Sequence, residues 1–128
     1  MSQKEAVRRW IDSADDDWET AEALYKSKKF AYCLFFSHLA LEKSFKALFI
    51  SQKDTVPPIT HDVLLLAKKT GHPLNERSIA DFSEITTFNV EARYDVYKTE
   101  LHKKATRAFT KMYMDKISLI RLWIKKQL

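Results

Sequence analysis

The chain has 128 residues, a formal net charge of +5, one glycine and one cysteine. That length favours a single domain, and so little glycine argues against a sheet-rich fold built on tight turns. Cys33 has no partner for an internal disulfide, "MSQKEAVRRW" lacks a signal-type apolar core, and the longest apolar run, "AYCLFF" (31–36), is far too short to cross a membrane, so a cytoplasmic protein without membrane contact is expected.

The first predicted helix covers residues 3–26. Val7, Ile11, Ala14, Trp18, Ala21 and Tyr25 recur at alternating spacings of four and three, the seam of a helix in a bundle. Asp12, Asp16 and Glu19 fall away from that seam. No histidine or second acidic cluster accompanies them, so they read as a solvated face and not as metal ligands. "SKK" (27–29) marks a short turn.

The second predicted helix, about 30–52, is apolar nearly all round in "FAYCLFFSHLALEKSFKALFI" and should be the most buried. His38, Glu42 and Lys46 interrupt it at i, i+4 and i+8, which places them on one narrow polar strip. The breakers Pro57, Pro58, Gly71 and Pro73 all fall in the connection that follows. Within it a short helix is expected at about 61–69, with Thr60 as its N-cap and Asp62 in its first turn. His61 reads as a helix-start residue and His72 as an exposed turn residue.

Gly71 should end the short helix and Pro73 start the next, at about 74–93. Ile79, Phe82 and Ile85 form its stripe; Asn89 takes the next stripe position and Arg93 follows one turn later. The chain should loosen within "YDVYKTE". The last helix runs to about 127, with Ala105, Phe109, Met112, Ile117, Ile120 and Ile124 inward and Lys104, Arg107, Lys111, Arg121 and Lys125 largely outward. The sum is an all-α, up-and-down four-helix bundle with one additional short helix between helices 2 and 3. Trp10, Trp18 and Trp123 read as core or interface anchors.

Charge is uneven along the chain. Residues 98–128 carry nine Lys/Arg against two Asp/Glu. A basic face of that kind suits RNA, a nucleotide or an acidic protein, although a solvated helix surface is the plainer account of it. Neither a Cys/His zinc spacing nor a glycine-rich phosphate loop occurs, so no metal or cofactor is expected.

An inward Asn89 needs hydrogen-bond partners and a buried Arg93 needs a carboxylate, for which Glu42 on the central helix is the natural candidate. The set reads either as a polar network that fixes helix register or as a pocket for a phosphate or base.

Three stretches carry a family resemblance. "LALEKSFKALF" (39–49), with Glu42 and Lys46 spaced as Glu-x-x-x-Lys, resembles the second helix of HEPN domains. "ITHDVLLLAKK" (59–69) is similar to the segment that follows it in that family. "NVEARYDVY" (89–97) resembles the family's Asn/Ala-Arg-Tyr-Pro region, with Asp95 standing where the proline is usual.

The resemblance spans nearly the whole chain and implies one HEPN-like helical domain over residues 1–128 that commonly dimerises. It implies a nucleotide- or RNA-associated module that works with a nucleotidyltransferase-type partner, often as a toxin–antitoxin pair. Binding residues would be Glu42, Lys46, Asn89, Arg93, Tyr94 and His38. Other members are metal-independent ribonucleases that pair an Arg with a His four to six residues on. Here Arg93 and His102 would fill those catalytic roles, though His102 lies beyond the family spacing. A purely structural dimerisation or adaptor bundle is the third alternative.

Overall fold

The computed structural model describes the backbone of residues 1–93 and 95–128, and the side chains of residues 1–89 and 99–128. The described residues form six helices and no strand: α1 (Gln3–Lys26), α2 (Phe30–Lys53), α3 (Val63–Thr70), α4 (Glu76–Arg93), α5 (Asp95–Lys104) and α6 (Arg107–Gln127). The all-α expectation therefore stands. The segment read as a loosening before the last helix is a helix of its own, α5.

Local chemistry sets the helix ends. Ser2 caps α1 by accepting from the Glu5 N–H at 3.1 Å. After α1 the chain reverses through Ser27–Lys29, with Lys28 in the left-handed region at φ 62°. Asp62 caps α3, its Oδ1 accepting from Leu64 and Leu65 N–H at 3.0 and 3.2 Å. This corrects the expected Thr60 cap: the Thr60 hydroxyl instead accepts from the Asp62 N–H at 3.1 Å.

Gly71 terminates α3 at φ 82°, a conformation that costs an L-residue a Cβ clash, and His72 N–H returns to the Ala67 carbonyl at 3.0 Å. α4 starts at Glu76 and not at Pro73. Asn75 and Ser78 cap each other reciprocally, with N–H to side-chain oxygen distances of 2.8 and 2.9 Å.

α2 is the hub, packed against α1, α3, α4, α5 and α6. Leu34, Leu41, Phe45 and Leu48 meet Leu66 of α3, Phe82, Ile85 and Phe88 of α4, Leu101 of α5, and Ile117 and Ile124 of α6 in one core. Aromatic edges knit it: Phe45 to Phe82 at 5.8 Å and Phe88 to Tyr113 at 5.4 Å between centroids.

Four inward or outward assignments change. Ile79 and Met112 are exposed. Arg121 is buried, because it spans from α6 to α1: it donates to Ser44 Oγ at 3.1 Å and to Asp15 Oδ1, with its guanidinium over the Trp18 ring. His72 is half-buried, edge-on to Phe45, Phe82 and Trp123, and burial lowers its pKa. Trp18 and Trp123 are partly buried against the core.

Candidate functional site

α2 carries His38, Glu42 and Lys46 on one face, and all three are buried. Burial of two formal charges requires compensation. Glu42 Oε2 accepts from Lys46 Nζ at 3.3 Å, and Glu42 Oε1 faces His61 Nδ1 at 2.8 Å. Lys46 Nζ also stands 5.5 Å from the centre of the Trp10 ring on α1, a cation–π contact sheltered from water.

His61 reaches Glu42 because Asp62 caps α3 and turns the preceding residue back over α2. The same residue supplies its carbonyl to His38 Nε2 at 2.9 Å. A carbonyl only accepts, so His38 Nε2 carries the proton and its Nδ1 is left a bare acceptor. Nδ1 has no hydrogen-bond partner among the described residues. Burial holds the His38 pKa below its ordinary value, so the ring is neutral at pH 7.

The His61 side chain is 53% exposed while that of Glu42 is 5% exposed. A buried carboxylate thus fixes one ring nitrogen and the rest of the imidazole faces solvent. That is the geometry of an oriented acid–base histidine. From sequence His61 is only a helix-start residue. Its contact with Glu42 spans 19 residues, which a reading of one helix at a time does not reveal.

Asn89 is buried on α4, as its stripe position predicts, and its Nδ2 has no hydrogen-bond partner among the described residues. One turn earlier, Thr86 Oγ1 accepts from Val63 N–H at 3.3 Å, which sets that face of α4 against the segment bearing His61. The Arg93 side chain and Tyr94, expected to complete the set, lie outside the described residues.

His102 does not join the strip. It is exposed on α5, its ring edge-on to Tyr32 at 5.9 Å. Tyr32 precedes Glu42 by ten residues of α2, about 15 Å along the axis. Asp12, Asp16 and Glu19 are exposed. No group of three or more His, Cys, Asp or Glu side chains is placed to hold a metal among the described residues. No helix among them is long and apolar enough to cross a membrane.

The HEPN domain family profile matches residues 7–127. The crystal structure of TT1696 from Thermus thermophilus is similar over 95% of this chain and 98% of that one, at 16% identity and a TM-score of 0.80. At that identity the likeness speaks for the fold alone. No curated protein matches the sequence significantly.

Proposed function

The chain belongs to the HEPN domain family, and from that premise we propose that it is a cytoplasmic nucleotide- or RNA-associated module that acts as a homodimer with a nucleotidyltransferase or antitoxin partner. The four long helices α1, α2, α4 and α6 serve as the up-and-down bundle, with α3 and α5 as short connecting helices. One observation carries the reading: a buried polar strip, His38–Glu42–Lys46, is answered by His61 and leaves unpartnered polar atoms at His38 Nδ1 and Asn89 Nδ2. Core packing alone gives no reason to bury so many polar groups, each of which costs about 1–3 kcal/mol if unpaired. Arg93 and Tyr94 would extend the strip toward a phosphate or base.

The test is co-purification. The gene beside this one is inspected for a small nucleotidyltransferase, and the two chains are co-expressed. Wild-type protein should retain the partner, whereas folded Arg93→Ala and Asn89→Ala variants should lose it. Retention by both variants would reject the assigned site.

A second reading is a metal-independent ribonuclease, and one geometric point favours it. Arg93 ends α4 and His102 lies in α5, so the two belong to successive helices and are not held on opposite faces of a single one. Cleavage through the ribose 2′-OH needs a base, an acid and a cation for the charged phosphorane. His102 or the carboxylate-oriented His61 would serve for proton transfer and Arg93 for charge. Incubation of purified dimer with total RNA, with Arg93→Ala, His102→Ala and His61→Ala as controls, decides it; intact RNA with wild type removes this reading.

A further inference from the structure

One end of the bundle is built from the α1–α2 turn and the α5–α6 junction. There Lys26, Lys28, Lys29 and Arg107 gather, and none has an ion-pair partner among the described residues. Lys104 and Lys103 nearby are answered by Glu84 and Glu100. Aromatic rings interleave with these cations. The Arg107 guanidinium lies 5.7 Å from the Tyr25 ring centre and 5.4 Å from that of Phe30, and the two rings are 5.5 Å apart. Tyr32, itself at the surface, meets His102. Beside Tyr25, a groove of about 300 Å³ between α1 and α6 is lined by Trp18, Glu22, Lys26, Lys111, Met114 and Asp115, so its walls carry both signs of charge.

Two of these lysines sit where local stability would place something else. Lys28 adopts φ 62°, a left-handed conformation suited to Gly or Asn. Lys29 is the N-cap of α2, where it makes no side-chain capping bond and adds positive charge to the positive end of the helix dipole. Both departures from local preference fall on lysines, so each costs local stability while adding charge to this end of the bundle.

We propose that this end of the bundle is a binding surface for single-stranded RNA. Lys26, Lys28, Lys29 and the first turn of α2 would contact phosphates, and the Arg107 plane would stack a base. The inference rests on the RNA side of the reading above and supplies that reading with a surface. It is distinct from the polar strip, since Lys29 precedes Glu42 by thirteen residues, about 20 Å along α2. An anionic membrane is the less suitable partner, because the patch offers half-covered rings beside its cations and, among the described residues, lacks a row of protruding aliphatic side chains.

The test uses fluorescence anisotropy with a labelled sixteen-residue oligoadenylate over a range of salt. The double variant Lys28→Gly/Lys29→Ser installs the locally preferred residues, so its Tm should hold or rise. Its affinity should fall on the order of tenfold, and the slope of log K against log salt should flatten by about 1.4, or about 0.7 per lost phosphate contact. Arg107→Lys keeps the charge but loses the planar stack, so it should weaken oligoadenylate binding while sparing inorganic polyphosphate. Undiminished RNA binding by the double variant, with loss on Glu42→Gln or Arg93→Ala, would overturn the surface and leave the reading above standing. No RNA binding by wild type, with or without binding to phosphatidylglycerol vesicles, would overturn the surface and the RNA side of that reading together.

Discussion

His61 Nδ1 lies 2.8 Å from Glu42 Oε1, so a residue of the connecting segment is tied to the buried face of the central helix. The carboxylate is shared, since its other oxygen takes Lys46 at 3.3 Å. Glu42 is therefore the pivot of the polar strip, and its removal leaves two nitrogen groups without their acceptor.

Glu42→Ala should destabilise the protein by about 3–5 kcal/mol, because it strands a buried ammonium. Glu42→Gln should cost less, since its amide oxygen still accepts from one neighbour. The double variant Glu42→Met/Lys46→Met should recover most of the loss, as apolar replacement of a whole buried pair often does. Urea denaturation of the three variants checks the order; a double variant no better than Glu42→Ala would contradict it.

Acidification should destabilise the fold in two steps. His38 and His72 are held below the ordinary histidine pKa chiefly by burial. The unfolded chain therefore takes up protons first, and stability falls as pH drops below about 6.5 until each folded pKa is passed. The groups around His38 are Glu42, His61 and Lys46; its ring stays neutral despite the carboxylate because burial dominates. At Asp15 burial pushes the pKa up, but the bonds from Lys125 and Arg121 outweigh it and hold it below its ordinary value. Its contribution is present above about pH 4 and is lost below that, as pH falls through the folded pKa. Tm measured from pH 8 to pH 3 should show both phases, and His38→Gln should flatten the upper one. An unchanged upper phase in that variant would assign it elsewhere.

Arg121 ties α6 to α1 and α2 through Asp15 and Ser44. Asp15→Ala should cost about 1–3 kcal/mol by leaving a buried guanidinium with a hydroxyl as its remaining hydrogen-bond partner among the described residues. Arg121→Met, which removes the charge and keeps the stem over Trp18, should cost less than Arg121→Ala. Thermal melts of the three variants test this, and equal losses for Met and Ala would show that packing of the stem contributes little.

Dimerisation should depend on the outer stripe of α6. Met112, Leu119 and Leu122 are 44%, 70% and 52% exposed, and their spacing aligns them along one face. Leu119→Glu/Leu122→Glu should convert a dimer to a monomer in sedimentation at micromolar concentration without lowering helicity. A wild-type monomer at that concentration would reject the homodimer itself.

Much of the helical layout is legible in the sequence. Apolar residues at alternating spacings of four and three bound α1 at residues 3–26, as observed, and the all-round apolarity of 30–52 marks the hub. The polar strip is legible for the same reason, because 38, 42 and 46 share a face in any α-helix. Helix starts are less so: Thr60 and Asp62 are both good caps, and only the backbone path into α3 decides between them. Arg121 escapes a reading by periodicity, which ranks a charge as outward, whereas a guanidinium that meets a carboxylate from another helix can be buried.

By itself the sequence determined the all-α class, the courses of α1 and α2 and the shared face of His38, Glu42 and Lys46, since these follow from a repeat of 3.6 residues. Tertiary structure decided who answers whom. Glu42 meets His61 across 19 residues and Arg121 meets Asp15 across 106. The two lysines that break local rules come together with Arg107 from the other end of the chain. Such pairings depend on how helices cross, and a periodicity confined to one helix carries no record of the angle at which the next one arrives.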